Sequence, residues 1–138
     1  MRLDGSVVST HSESLKHKEK PRCVRLRDVL GYYTGKYDVI GIAMEEPYGA
    51  HKASLKVLYK VFGVAEFLCE LWGIPYHQAH TMTVKKFATG KGNAKKADMI
   101  AAALKQWPEL PADISDDEAD ALWVAEHYRV MAKESPAE

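Results

Sequence analysis

Val39-Ile40-Gly41-Ile42-Ala43-Met44-Glu45-Glu46-Pro47 decides the fold. Its first six residues are continuously apolar, far too few for a membrane span and too uniform to leave one face in water. They predict a buried strand of the parallel or central kind. Glu45 follows that strand with no turn residue between. In open α/β sheets ligands gather at the carboxyl ends of strands, so Glu45 stands where a site is expected. Taken alone, Glu45-Glu46 reads equally well as the opening of a solvated loop.

Downstream, Leu58, Val61, Phe62, Ala65, Leu68, Cys69 and Trp72 recur at helical spacing, and Gly73 closes the pattern. Ile74 to His80 reads as a second short strand, with Pro75 at its entry, where a missing N–H is tolerable. Upstream, Leu26, Val29, Leu30 and Tyr33 predict a helix from Pro21 to Gly35. Asp4-Gly5 is a turn signal ahead of a β-branched alternation, Ser6 to Thr10, that predicts a strand. His11 to Lys20 reads as a loop or a weak edge strand. Strand, helix, strand, helix in this order argues for an α/β layer fold with parallel strands.

Thr81 to Lys96 reads as a basic, glycine-containing loop, with Asn93 as N-cap of a helix through Met99, Ile100, Ala103 and Leu104. Trp107 to Pro111 reads as a linker. Ser115 opens the last helix, to about Lys133, and Ser115 with Glu118 has capping-box spacing.

The 138 residues fit one domain, 1–138, and 19 basic against 19 acidic side chains leave no net charge to indicate a partner. Cys23 and Cys69 lack metal-ligand spacing and favour a reduced, cytoplasmic setting. No stretch has the apolar length of a signal peptide or a membrane span, so membrane roles are set aside. His77 and His80 would face opposite sides of a strand, which disfavours a shared zinc.

On the last helix, Ala121, Val124, Ala125 and Tyr128 are expected to face the sheet, and the stripe extended backwards lands on Asp117 and beside Asp120. First-turn acids commonly just complement the helix macrodipole, which accounts for Asp116 and Glu118. Carboxylates aimed inward repel one another unless a cation joins them. Glu45, Asp117 and Asp120 are therefore the candidate ligands of Mg²⁺ or Mn²⁺, the hard ions suited to oxygen donors and phosphate. Lys85, Lys86, Lys91, Lys95 and Lys96 are the candidate phosphate-binding side chains, weighed against the ordinary reading of a charged run as a solvated face.

Ala43-Met44-Glu45-Glu46-Pro47, the run Val84 to Lys96, and Asp116-Asp117-Glu118-Ala119-Asp120-Ala121-Leu122 together resemble RuvC-like crossover-junction endodeoxyribonucleases, especially phage-type members. The order and spacing match over residues 5 to 132. The resemblance implies a ribonuclease-H-like mixed sheet flanked by helices, divalent-metal-dependent cleavage of DNA at four-way (Holliday) junctions, and a homodimer that pairs two sites. It gives Glu45 the strand-end role and Asp117 with Asp120 the C-terminal pair, with Asp116 as a substitute for Asp117. It also matches Lys85 and Lys96 to positions where the family has DNA-contacting basic residues.

The sequence departs from the family in one respect. Members carry an aspartate on a first strand that precedes the hairpin Asp4-Gly5 resembles, and Asp4 is too close to Glu45 to be that residue. The expectation is a chain lacking the N-terminal strand, with an upstream true start favoured over a fragment or a degenerate member. The competing functions are an endonuclease on branched DNA, a non-catalytic nucleic-acid-binding remnant, and a nuclease acting on RNA–DNA hybrids.

Overall fold

The computed structural model describes residues 1–16, 19–49 and 51–134. In chain order the elements are α1 (Arg22–Lys36), β1 (Ile42–Glu45), α2 (Lys52–Trp72), β2 (Tyr76–Ala79), α3 (Thr81–Thr89), α4 (Lys96–Gln106) and α5 (Asp116–Glu134). β1 and β2 pair in a short parallel sheet, as the helical crossover between the strands predicts, but β1 takes up only the end of the apolar run and is half-buried, with Val39 to Gly41 outside it and Ile40 59% exposed. The chain divides into two compact units, the first made of Met1–Ser12, Ala43–Glu45 and Gln78–Glu138, the second of Glu13–Ile42 and Glu46–His77.

The second unit is built on α1 and α2, which pack together. The stripe expected on α2 is buried at Ala65, Leu68 and Cys69, while Leu58 and Trp72 at its two ends stay partly in solvent. Gly73 ends α2 in the left-handed conformation, φ 66°, with its N–H on the carbonyls of Cys69 and Glu70. A Cβ there would meet open space, so the cost of adding one is conformational rather than steric. Gly73→Ala is expected to lose about 1 kcal/mol in urea unfolding; an unchanged midpoint would show that the turn relaxes freely.

The first unit carries the main core. Val84 of α3, Met99 and Ala103 of α4, and Ala119, Leu122, Trp123 and Val124 of α5 close around Trp107 and Ile114. Trp107 was expected in a linker, yet it is buried beside Trp123, 4.9 Å between ring centroids, and its indole N–H donates to the Gly5 carbonyl at 3.0 Å. Ser115 caps α5 as its spacing predicts: Glu118 N–H donates to the Ser115 hydroxyl at 3.1 Å, and that hydroxyl donates to the Glu118 carboxylate at 3.0 Å. Glu126 is a buried charge satisfied by Arg129, whose Nε and Nη2 reach its two oxygens at 2.7 and 2.6 Å.

Three expectations change. The turn at Asp4-Gly5 forms, with Asp4 accepting from the Ser6 N–H and hydroxyl, but Ser6 to Thr10 is not a strand. A β-branched alternation makes a strand only with a partner, and this segment is instead tied down through Gly5 to Trp107 and through a hydrogen bond between Thr10 and Glu118. The basic loop is largely helix α3, capped by His80, whose Nδ1 accepts from the Met82 N–H, and closed by Gly90 at φ 83°. Gly90 thus terminates α3 in the left-handed conformation. Asn93 does not cap α4; the helix starts at Lys96, and the Asp98 carboxylate accepts from the Lys95 N–H at 2.9 Å.

Candidate nucleic-acid and metal site

Strand geometry ends β1 on Glu45, and the chain re-enters from β2 into α3 beside it. Thr81, the first residue of α3, donates its hydroxyl to Glu45 Oε1 at 2.5 Å. One oxygen of Glu45 is therefore fixed by the protein. Four residues on, Lys85 shares that face of α3, half-buried, while Val84 anchors the helix in the core.

α5 turns differently from the expected stripe. Its buried positions are Ala119, Leu122, Trp123, Val124 and Glu126, so Val124 of the expected stripe faces inward, Ala125 and Tyr128 are half-buried and Ala121 is exposed. The largest side chain sets the rotation, since Trp123 has far more apolar surface to bury than Ala121 or Ala125. Asp117 consequently faces solvent, whereas Asp116 and Asp120 are both half-buried and lie one helical turn apart. Asp116 is held by Lys96, the first residue of α4, at 2.9 Å, and this partner keeps its carboxyl below the ordinary range.

Asp120 is the perturbed group. Burial, then the charges of Glu45 and Asp116, push its carboxyl up to about 6; Lys85 pulls the other way, and Asp117 contributes least. Glu45, Asp116 and Asp120 thus share one electrostatic site with two lysines. Lys86, Lys91, Lys95 and Lys96 are exposed. Thr89 holds the segment after α3, its hydroxyl donating to the Lys85 carbonyl at 2.8 Å and accepting from the Lys91 N–H at 3.2 Å.

The donor chemistry suits a hard divalent ion: oxygens only, and a half-buried carboxylate whose crowding by like charge a cation would relieve. The gathering is less complete. Among the described residues, no three His, Cys, Asp or Glu side chains stand close enough together to hold an ion. The sequence-derived trio therefore divides, with Glu45 and Asp120 in the site and Asp117 on its solvent side. Thr81 was missed in the sequence, where a hydroxyl in the first turn of a helix directly after a strand was the available signal.

The same arrangement of elements is found in solved structures. Thermus thermophilus RuvC in complex with a Holliday junction substrate superposes with a TM-score of 0.72, at 20% identity, over 86% of this chain and 74% of that one. The fold is RuvC-like. A second T. thermophilus RuvC structure agrees, with a TM-score of 0.65, 17% identity, and coverage of 85% of this chain and 75% of the other. The ribonuclease-H-like α/β class expected from the sequence is thereby shown. No protein-family model matches the sequence. No curated protein matches it either. No helix of the described residues is long and apolar enough to cross a membrane.

Proposed function

We propose that this chain is a RuvC-like nuclease domain that engages branched DNA and, with Mg²⁺ or Mn²⁺, cleaves it at four-way junctions. The observation that carries the reading is the half-buried Asp120, pressed by Glu45 and Asp116 and flanked by Lys85, in a fold shared with a protein that binds such a junction. Glu45, Asp120 and Asp116 or Asp117 are the oxygen donors. A divalent ion, when bound, supplies positive charge to the phosphate oxygens. The chain's own residues do the rest. Thr81 holds one Glu45 oxygen and leaves the other available, Lys85 offsets the negative charge at Asp120, and Lys86, Lys91, Lys95 and Lys96 offer point charges to a phosphate backbone. Two copies acting together would bring two such sites to one junction.

The second reading is a module that binds nucleic acid without cutting it. It is favoured by the incomplete gathering of acids among the described residues. Synthetic four-way junctions, linear duplexes and RNA–DNA hybrids, each with Mg²⁺, Mn²⁺ or EDTA, separate the possibilities. The expected result is metal-dependent nicking of the junction, reduced at least ~100-fold by Glu45→Gln with binding retained. Salt-sensitive binding without nicking supports the binding module. Equal cutting of linear and branched DNA removes the junction specificity, and a preference for the hybrid reassigns the substrate.

A further inference from the structure

The helix that begins at Thr81 does not use the hydroxyl of that residue. A hydroxyl at the start of a helix ordinarily turns to the helix's own unpaired N–H groups, which is why serine and threonine are common caps. In α3 that task falls to His80, whose Nδ1 accepts from the Met82 N–H at 3.2 Å. Thr81 is thereby released, and its hydroxyl donates to Glu45 Oε1 at 2.5 Å, a residue 36 positions away in the chain. Both side chains are half-buried and belong to the first compact unit. Thr81 stands between Ala79 and Val84, which are 3 and 2% exposed, so the donor is mounted on backbone locked in the core.

A hydroxyl proton on Oε1 makes the two oxygens of Glu45 unequal, and Oε2 becomes the better donor to an ion. Divalent ions respond differently to that inequality. Mg²⁺ demands short bonds in near-octahedral geometry, into which the narrow bite of a single carboxylate using both oxygens fits poorly. Ca²⁺ takes about six to eight oxygens in flexible geometry and readily accepts both oxygens of one carboxylate. We infer that Thr81 is an ion-selecting residue, which engages Oε1 so that Glu45 offers a single oxygen, favouring Mg²⁺ and Mn²⁺ over Ca²⁺. It acts through Glu45 and is a positioning residue. The charges around the site do not supply this discrimination, because Asp116, Asp120 and Lys85 act to first order alike on two ions of equal charge. A hydrogen bond that only steadied Glu45 would serve every ion equally.

The inference rests on the metal-binding part of the proposed function and is tested without DNA, so a chain that holds Mn²⁺ but cuts nothing leaves it standing. Binding of Mn²⁺ is followed by the electron paramagnetic resonance signal of the free ion, and the bound ion is then displaced by Mg²⁺ or by Ca²⁺. Thr81→Val, which keeps the branched shape and removes the hydroxyl, should raise the affinity for Ca²⁺ relative to Mg²⁺ about three- to tenfold. Thr81→Ala should move the ratio the same way, which guards against a packing fault peculiar to valine. Thr81→Ser retains the donor and should keep the ratio within about twofold of the parent. Misplacement of Glu45 alone would weaken both ions together and leave the ratio unmoved. An unchanged ratio in the valine and alanine variants, a change towards Mg²⁺, or a serine variant altered as much as the valine one would each overturn the assignment. A parent that binds no Mn²⁺ would overturn it together with the metal part of the proposed function.

Discussion

Asp120→Asn is expected to make the metal-free protein more stable at pH 7, by about 1 to 2 kcal/mol, while removing metal-dependent cleavage. The carboxyl is raised from its ordinary 3.8 to about 6, so between those values the folded state holds more of this proton than the unfolded chain does. The contribution of Asp120 to stability therefore falls as pH rises from about 4 to about 6, and levels off above that, because ionising Asp120 beside Glu45 and Asp116 costs more in the folded protein than in the unfolded one. The full shift corresponds to about 3 kcal/mol, and the solvent that reaches a half-buried carboxyl reduces it to the smaller figure. Urea unfolding in EDTA at pH 4, 5, 6 and 7 tests this. Parent and variant should nearly coincide at pH 4 and separate towards pH 7, and millimolar Mn²⁺ should then stabilise the parent alone. A variant less stable than the parent at pH 7, or a gap that does not grow with pH, would remove the case for Asp120 as a crowded acid.

Trp123→Ala is expected to cost about 3 to 5 kcal/mol, the largest stability loss of any single substitution considered. Trp123 is 6% exposed, tilts on Trp107, meets the Phe87 ring edge-on at 6.0 Å, and donates its indole N–H to the Met99 carbonyl at 3.4 Å. A domain of ordinary stability, roughly 5 to 15 kcal/mol, would lose much of its margin. Thermal unfolding followed by circular dichroism should show a drop of ten degrees or more, on the scale of about 4 to 8 °C per kcal/mol. Trp123→Phe, which keeps a ring in the cavity, should recover at least half. A loss below about 1 kcal/mol for the alanine variant would mean that the core does not close on this side chain.

What the sequence made legible was what local pattern controls. The β1 run, the stripe and terminal glycine of α2, the cap of α5 and the position of Glu45 at a strand end were readable because each depends on a few neighbouring residues. The rotation of α5 was not readable. Several stripes on that helix are apolar enough to face inward, and the choice among them falls to Trp123 meeting Trp107 and Met99, partners distant in sequence. That rotation moved weight from Asp117 to Asp116. α3 reads as a loop because the stretch is basic and contains Gly90 and Gly92, and Thr81 and Thr83 are weak helix formers, whereas Val84 and Ala88 docking on the core favour the helix. The hydrogen bond from Thr81 to Glu45 spans 36 residues and leaves no local mark.

The placement of the three tryptophans has an optical consequence. Trp107 and Trp123 are buried in mutual contact in the first compact unit, and Trp72 is partly exposed in the second. Emission from the buried pair should be shifted to the blue, and the pair's ring coupling should appear in the near-ultraviolet dichroism, while Trp72 contributes a redder, readily quenched component. Following the two signals through one denaturant titration reports each unit separately. Superimposable curves would show the 138 residues unfolding as one cooperative whole, and displaced curves would give each unit its own midpoint.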